Sequence, residues 1–251
     1  MKNQDLTITN RTYDDKYSTL LNKPFAHRGV HSEFPENSMP AFEKSMQLNL
    51  GIELDIHLSK DGKIVVFHDD NLIRMTGTNE YIKFLTYEQI KQNKLNDTEY
   101  SIPLLEDVLK LVKGKVPILI EIKTNNNMKK LIPALKQLLE GYNGEVFIQS
   151  FNPFVLRRCY KQMPNILRGQ LSSFFAKERL KFYKKFPIKR LFFNRFSHID
   201  FISYNIDNLP NKYVSKISLP ILAWTIRTNA DYEKAKLNSN NVIVDNIEVL
   251  K

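Results

Sequence analysis

The sequence has very little cysteine and no long apolar run, and these two absences exclude several classes of protein. Cys159 is the single cysteine among 251 residues, so the chain has neither an internal disulfide nor a zinc site built from several thiolates. No stretch approaches the roughly 20 apolar residues that a membrane-spanning helix requires. The polar N-terminus, MKNQDLTITNRTYDDKY, lacks the apolar run of a secretory signal. We therefore expect a protein of the reducing cytoplasm.

The composition is that of a soluble globular protein, and its charge favours anionic partners. Hydrophobic residues make up 42% of the chain and charged residues 25%, which is enough apolar material for a sizeable core. The chain has 37 basic and 27 acidic residues, so its net charge is +10. Such a charge favours phosphate esters, nucleic acid or an acidic membrane surface as partners, and it carries no information about the fold.

Strand and helix patterns alternate along most of the chain. Residues 1–23 are predicted to be a polar lead-in, and residues 24–251 to form a single domain. Apolar periodicity predicts helices at Met39–Leu50, Leu104–Val112 and Met128–Leu139. This alternation is typical of a mostly parallel sheet with helices outside it. The predicted strands are Pro24–Arg28, Ile52–Leu58, Ile64–His68, Val116–Lys123, Glu145–Ser150, Ile166–Leu171, Ile199–Tyr204, Pro220–Ile226 and Val242–Val244.

Nine strands are one more than an eight-stranded barrel uses. The four residues Ser59–Gly62 join the second and third predicted strands, and a parallel crossover needs about a dozen residues. Either these two strands form an irregular hairpin, or one of the nine strands lies outside the barrel.

Charged side chains occur at alternate positions of two apolar strands. Glu53 and Asp55 share one strand face, as do Glu121 and Lys123, because side chains at i and i+2 project together. Three carboxylates that converge repel one another unless a cation lies between them. Their hard oxygen ligands favour Mg²⁺ or Ca²⁺. In the alternative interpretation, each acid pairs with a nearby Arg or Lys.

Two histidines end predicted strands, and one can accept a proton while the other donates one. His27 is followed by Arg28, and His68 by Asp69. Arg28 and Lys123 can neutralise a phosphate. A metal ion and cations around a phosphate are the usual requirements of phosphoryl transfer.

Five ordered motifs in the first half of the chain resemble the glycerophosphodiester phosphodiesterase (GDPD) family. They are Ala26-His27-Arg28-Gly29, Pro35-Glu36-Asn37-Ser38, Gly51-Ile52-Glu53-Leu54-Asp55, Lys60-Asp61-Gly62 and Val66-Phe67-His68-Asp69. Shorter matches follow at Ile102-Pro103-Leu104-Leu105-Glu106, Glu121-Ile122-Lys123, Ser150-Phe151-Asn152, Ala223-Trp224-Thr225 and Val244-Asp245. The resemblance covers residue 24 to about residue 247.

This resemblance implies a TIM (β/α)8 barrel of the PLC-like phosphodiesterase type, with its site at the C-terminal face. It implies that His27 and His68 are the acid–base pair and that Glu53, Asp55 and Glu121 bind a divalent metal ion. Arg28 and Lys123 would contact the phosphate, and Glu36 would support the site. Trp224 would line the pocket or belong to the barrel core. His57 would be a supporting residue or a further ligand.

The implied reaction hydrolyses a glycerophosphodiester to glycerol 3-phosphate and an alcohol, with attack by the substrate's own hydroxyl. Alternatives are a lysophospholipase D at a membrane surface and a non-catalytic barrel that binds phosphate or lipid. Val30-His31-Ser32 departs from the family pattern, and His31 is expected to be solvent-exposed. The sequence does not indicate the oligomeric state.

Residues 177–195, KERLKFYKKFPIKRLFFNR, combine basic and aromatic side chains. In one interpretation they form a solvated helix–loop–helix that packs its aromatic side chains inward. In the other they dock on an anionic membrane surface, which would make the protein peripheral to the membrane. Nucleic acid is not expected as a partner, because no recognised binding module accompanies the charge.

Overall fold

Nine strands form a single sheet in the structure, a computed structural model that describes residues 13–124, 126–175 and 182–251. The strands are β1 Phe25–His27, β2 Gly51–Leu58, β3 Ile64–Val66, β4 Ile118–Ile122, β5 Val146–Ser150, β6 Arg168–Ser172, β7 Phe201–Asn205, β8 Ile221–Ile226 and β9 Asn241–Val244. Their order is β1-β9-β8-β7-β6-β5-β4-β2-β3, and β1 also pairs with β2. Eight parallel strands therefore close into a barrel, which confirms the predicted TIM fold.

The ninth strand is the irregular hairpin. β3 pairs with β2 antiparallel, and Ile56 lies opposite Val66. Every other pairing in the sheet is parallel. The short connection between β2 and β3 allows only an antiparallel return, so the first of the two alternatives left by the sequence is the observed one.

Helices cover the outside of the barrel. In the described residues they are α1 Ser18–Asn22, α2 Met39–Gln47, α3 Ile73–Thr76, α4 Tyr87–Ile90, α5 Leu105–Val112, α6 Met128–Leu139, α7 Pro153–Gln162, α8 Phe182–Lys189, α9 Asn194–Ser197 and α10 Asn229–Asn238. Ser38 caps α2 by accepting a hydrogen bond from the Ala41 N–H. This helix ends three residues before the predicted Leu50, and Asn49, just after it, has a left-handed φ of 56°.

The strands bury apolar side chains on both faces. Leu54, Ile56, Ile120 and Ile122 face outward and belong to the core beneath the helices, as the alternation in β2 and β4 predicts. Inside the barrel, Phe25, Phe147 and Phe201 belong to a second cluster. The outer core fastens the helices to the barrel, and the inner cluster fills the barrel below the polar side chains.

Two glycines make room for the aromatic rings inside the barrel. A Cβ atom at Gly169 would lie 2.1 Å from the Phe201 ring, and one at Gly51 would lie 2.6 Å from the Phe25 ring. Real atoms do not approach so closely, so any larger residue would displace a ring. These glycines are needed for the close approach of neighbouring strands and not for a turn.

Part of the predicted polar lead-in contributes to this inner cluster. Tyr17 and Leu20 are buried and pack with Phe25. Asn241, at the start of β9, donates a hydrogen bond of 2.7 Å to the Leu20 carbonyl. The segment around α1 therefore lies against the N-terminal ends of the strands, where it shields apolar side chains that would otherwise meet water. Residues 1–12 of the predicted lead-in lie outside the described residues.

Residues 67–104, which we call the excursion, join β3 to α5 and bring further polar side chains to the barrel. It has a small apolar core of its own, which includes Phe67, Leu72 and Met75. The excursion carries His68 next to β2, because the Phe67 N–H donates to the Asp55 carbonyl.

The basic and aromatic segment contains α8 and α9, and residues 176–181 lie outside the described residues. Phe192 and Phe196 are exposed, so the prediction that the aromatic side chains of this segment pack inward is wrong for these two. In the described part of the chain, no helix has both the length and the apolar character needed to cross a bilayer.

Candidate active site

The polar side chains predicted from the sequence meet at the C-terminal ends of β1, β2 and β4. They border a cavity of about 140 Å³. Barrel enzymes place their catalytic groups at this end. The cavity is lined by His27, Arg28, Glu53, His68, Glu121, Lys123, Gln149, Phe151, Leu171, Trp224, Thr225, Arg227 and Ile243.

Three buried carboxylates form the floor of this region. Glu53, Asp55 and Glu121 each offer an oxygen atom, and these atoms lie within 4.8 Å of one another. Burial, followed by the charges of Asp55 and Glu121, raises the pKa of Glu53 well above its usual value. Burial also raises the pKa of Glu121. The cluster therefore carries more negative charge than its surroundings neutralise.

Two cations compensate part of this charge. The Lys123 Nζ atom lies 2.7 Å from Asp55 Oδ1 and 2.8 Å from Glu121 Oε1, and the Arg28 Nε atom lies 3.4 Å from Asp55 Oδ2. Burial raises the pKa of Asp55, but the charges of Lys123, His68 and Arg28 outweigh burial and lower it overall. The alternative in which each acid pairs with a base thus describes Asp55 well.

Glu53 has a different environment from that of Asp55. Its two oxygens accept hydrogen bonds from the Arg28 backbone N–H, at 3.1 Å, and from the Gln149 amide, at 3.0 Å. Both donors are neutral. The cluster has three carboxylates, and only two cationic side chains, Lys123 and Arg28, lie beside it. Every candidate ligand atom is a hard oxygen, so the set fits a divalent cation such as Mg²⁺ or Ca²⁺.

Both predicted catalytic histidines are held by a carboxylate at Nδ1. The His27 Nδ1 atom lies 2.5 Å from Asp245 Oδ1, and the His68 Nδ1 atom lies 2.6 Å from Asp69 Oδ1. Such a contact fixes the ring and its tautomer and leaves Nε2 for proton transfer. Burial lowers the pKa of His27, although its hydrogen bond to Asp245 opposes this effect.

Glu36 and His57 contact other site residues and do not line the cavity. Glu36 accepts hydrogen bonds from Arg28, at 2.9 Å, and from Arg74, at 2.6 Å. The His57 ring is buried, and its Nε2 atom lies 3.2 Å from the His68 carbonyl oxygen. These contacts favour supporting roles for both residues.

Trp224 combines the two roles that the sequence left open. It lines the cavity, and its ring makes an edge-on contact with Phe151 at a centroid distance of 5.7 Å. It also packs against the inner apolar cluster of the barrel. The indole therefore forms an apolar wall of the cavity.

Sequence reasoning assigned no role to three residues that hold the site together. Asn37 donates a 2.8 Å hydrogen bond to Asp55 Oδ2, Gln149 donates to Glu53, and Asp245 contacts His27. Asn37 and Asp245 belong to motifs that resemble the family, so position within those motifs was an available signal. Gln149 precedes such a motif and has no comparable signal.

The expectation for His31 was wrong. Its Nε2 atom lies 3.3 Å from Asp245 Oδ1, and its side chain is only partly exposed. Arg28 and Gly29 both have positive φ, at 57° and 77°, and this tight turn folds the following loop back toward Asp245. The turn, rather than the residue type, decides where His31 lies.

A closed parallel barrel that holds two carboxylate-bound histidines and an acidic cluster at its C-terminal face has the make-up of a TIM-barrel hydrolase. A profile of the glycerophosphoryl diester phosphodiesterase family matches residues 27–249. The chain belongs to this family, as the motifs implied, and is an enzyme of the phosphoric diester hydrolase class.

Individual relatives agree with this assignment. A glycerophosphodiester phosphodiesterase of Caldanaerobacter subterraneus is 31% identical over 245 residues, which cover 90% of this chain and 94% of that protein. One of Bacillus altitudinis is 34% identical over 181 residues, or 67% and 74% of the two chains. A solved phosphodiesterase of Oleispira antarctica, in complex with the product sn-glycerol-3-phosphate, shares the fold with a TM-score of 0.79 at 22% identity, over 92% of this chain and 95% of that one.

Proposed function

We propose that this enzyme hydrolyses glycerophosphodiesters to glycerol 3-phosphate and an alcohol, with a divalent cation, Mg²⁺ or Ca²⁺, held by Glu53, Asp55 and Glu121. The observation that carries the proposal is the pair of carboxylate-held histidines beside the acidic cluster in one cavity. The bound cation would polarise the phosphoryl oxygens and orient the attacking hydroxyl.

Charge balance supports a phosphodiester as the substrate. The three carboxylates exceed the charges of Arg28 and Lys123 by one, so a divalent cation would leave the site with one positive charge. A phosphodiester brings one negative charge and neutralises the site. Lys123 and Arg28 both line the cavity, where they can bind the phosphate oxygens and stabilise charge that develops during transfer.

His27 acts as the base in this proposal. Burial lowers its pKa, so the ring is neutral near pH 7, and its contact with Asp245 keeps the proton on Nδ1. The Nε2 atom takes the proton of the substrate's glycerol hydroxyl while that oxygen forms a bond to phosphorus. Because the nucleophile belongs to the substrate, the protein supplies orientation and proton transfer rather than a covalent intermediate.

His68 acts as the acid. Asp69 lies against its Nδ1 atom and orients the ring, so that Nε2 can protonate the leaving alcohol as its bond to phosphorus breaks. Water then opens the cyclic phosphate, with the two histidines in exchanged roles, and glycerol 3-phosphate is released. His57 and Glu36 support this arrangement through His68 and Arg28, and Trp224 forms the apolar wall beside the glycerol carbons.

Leaving-group chemistry tests the assignment. Wild type, His27→Ala and His68→Ala are assayed on glycerophosphocholine and on the p-nitrophenyl ester of glycerol 3-phosphate, whose leaving group needs no proton. We expect His68→Ala to lose at least about 100-fold on the choline ester. It should lose much less on the p-nitrophenyl ester when release of p-nitrophenolate in the first turnover is measured, because this release precedes the opening of the cyclic phosphate. We expect His27→Ala to lose at least about 100-fold on both.

A matched control and a reversed outcome complete this test. His198 stacks on Tyr160 on the outside of the barrel, at a centroid distance of 4.0 Å, so His198→Ala should leave both rates unchanged. The opposite pattern for the two active-site variants would exchange their roles. Near-normal turnover of both esters by either variant would reject acid–base catalysis by that histidine.

A further inference from the structure

The positive charge of the protein is concentrated in one part of the chain. Residues 146–199 contain twelve basic residues and a single acidic one. Subtracting these from the totals of 37 basic and 27 acidic residues leaves 25 and 26 in the rest of the chain. The whole positive excess therefore lies in the stretch of sequence from β5 to the start of β7, and the rest of the chain has almost no net charge.

Four phenylalanines lie in the same part of the structure, and we call Phe154, Phe192, Phe193 and Phe196 the phenylalanine patch. Phe154 and Phe192 are each 61% exposed and Phe196 is 42% exposed. The Phe154 ring lies 5.4 Å from that of Phe196 and 5.9 Å from that of Phe193, between centroids. The rings of Phe154, Phe193 and Phe196 cluster with one another, and the Phe192 ring lies 6.0 Å from that of Phe186 in α8, between centroids. Exposed apolar side chains grouped in this way mark an interaction site.

Basic side chains border the phenylalanine patch. Arg157, Arg158 and Lys161 follow Phe154 at helical spacings of three, four and seven residues, so they share one face of α7. The opposite face of α7 is buried. The Arg157 guanidinium lies 5.2 Å above the Phe196 ring and donates to the Phe196 carbonyl, which ties α9 to α7.

The phenylalanine patch lies beside the entrance to the active-site cavity. α7 begins three residues after β5 ends, so its first turn, with Phe154, lies at the C-terminal rim of the barrel. Phe151, in the same connection, lines the active-site cavity. A partner that covers the patch would therefore lie beside the entrance to the cavity.

We propose that the phenylalanine patch and the basic face of α7 dock the enzyme on an anionic phospholipid bilayer, with the mouth of the barrel next to the lipid surface. Exposed phenylalanine rings can be buried at the boundary between lipid headgroups and acyl chains, and basic residues around them are attracted by anionic lipid. The surface has both features side by side. This inference concerns where the enzyme works and is independent of the acid–base assignment.

Vesicle flotation tests the proposal with the full-length protein. We expect binding to vesicles of phosphatidylcholine with phosphatidylglycerol, and at least tenfold weaker binding to vesicles of phosphatidylcholine alone, at about 0.1 M salt. Phe154→Ser/Phe192→Ser should weaken binding by about tenfold or more. Arg195 is exposed in α9, next to Phe196 in the sequence. Arg158→Glu/Arg195→Glu should weaken binding by at least about 25-fold, since each basic residue contributes about fivefold.

Matched controls are available elsewhere on the surface. Phe84 is also 61% exposed but lies in the excursion between β3 and α5, and Phe84→Ser should bind vesicles like wild type. Lys110→Glu/Lys236→Glu makes the same change of charge as the arginine variant and should have little effect. All variants should hydrolyse soluble glycerophosphocholine at the wild-type rate, because none of these residues touches the cavity.

Several outcomes would overturn the proposal. Equal binding to neutral and anionic vesicles would do so, as would equal effects of the Phe84 and Phe154/Phe192 substitutions. If vesicles are not bound and the patch variant changes a dimer to a monomer in sedimentation, the surface contacts a second copy of the chain. If a labelled oligonucleotide binds and vesicles do not, the partner is nucleic acid.

Discussion

Replacing Asp245 with asparagine keeps His27 in place and tests whether catalysis depends on the orientation and tautomer of its ring. Asp245 Oδ1 lies 2.5 Å from His27 Nδ1, and its Oδ2 lies 2.8 Å from Arg227 Nε. Burial raises the pKa of Asp245, but the hydrogen bonds from His27 and His31 and the Arg227 charge outweigh burial and hold the pKa well below its usual range. The carboxylate is therefore ionised near neutral pH.

An asparagine at this position cannot satisfy both neighbours. If its oxygen faces His27, its amide NH₂ group faces the Arg227 guanidinium, donor against donor. If the amide turns over, its oxygen accepts from Arg227 and its NH₂ donates to His27 Nδ1. The imidazole proton then moves to Nε2, and His27 can no longer accept a proton from the substrate.

The expected loss follows from the hydrogen bonds that change. A hydrogen bond to a charged group contributes about 1.5–3 kcal/mol, which corresponds to roughly 10- to 150-fold in rate. The exchange of tautomers adds to this loss, so we expect Asp245→Asn to lower kcat/KM by about 100-fold or more. Release of glycerol 3-phosphate from glycerophosphocholine measures it.

The Arg227 contact provides an internal control. In Asp245→Asn/Arg227→Ala the asparagine oxygen is free to face His27, so part of the lost activity should return relative to Asp245→Asn alone. If Asp245→Asn stays within threefold of wild type with unchanged thermal stability, Asp245 does not set the tautomer of His27. If the double variant is no better than the single one, Arg227 does not determine how the amide turns.

Three further predictions concern the metal, the core and the single thiol. Chelation should abolish turnover. Mg²⁺ or Ca²⁺ relieves the repulsion between Glu53 and Glu121, and at a hundredfold excess over Kd its binding should add about 2.7 kcal/mol of stability, a rise in Tm of roughly 5–10 °C. An unchanged Tm in scanning calorimetry at saturating metal would exclude this site. Leu20→Ala should destabilise the fold by about 2–5 kcal/mol in urea unfolding, since Leu20 is completely buried; a loss below about 0.5 kcal/mol would contradict its place in the core. Burial raises the pKa of Cys159 to about 12, so a thiol reagent at about pH 8.5 should react with it only after unfolding, and rapid reaction of the native protein would refute this burial. The unfolded thiol ionises near pH 8.5, so its contribution to stability is complete below that pH and is lost as the pH rises toward the folded value.

The positions of the strands along the chain and the candidate ligands were predictable because they depend on local patterns. The alternation of Glu53 and Asp55 with apolar residues places both carboxylates on one strand face before any tertiary contact is known. Histidines and acids at the ends of apolar strands likewise indicate a site, since burial of isolated charges is costly.

Long-range partners were not predictable in this way. Gln149 supports Glu53 from 96 positions away, and Asp245 holds His27 from 218 positions away. The Val244-Asp245 motif marks Asp245 but does not show that it contacts His27, and no local pattern marks Gln149. The same holds for Leu20, which lies in a polar stretch of sequence. It is buried only because the N-terminal end of the barrel supplies apolar neighbours.

The amino-acid sequence alone was enough to predict the alternation of strands and helices and to name the two histidines and the three acids as candidates, because periodicity is a property of consecutive residues. The barrel followed from the resemblance of its motifs to the family. The tertiary structure decided what each of these groups touches: the carboxylate at each Nδ1 atom, the neutral donors around Glu53, and the phenylalanines left at the surface beside the mouth. Closure of the barrel brings strands from the two ends of the chain together, and pKa, tautomer and exposure depend on distances that only this closure sets.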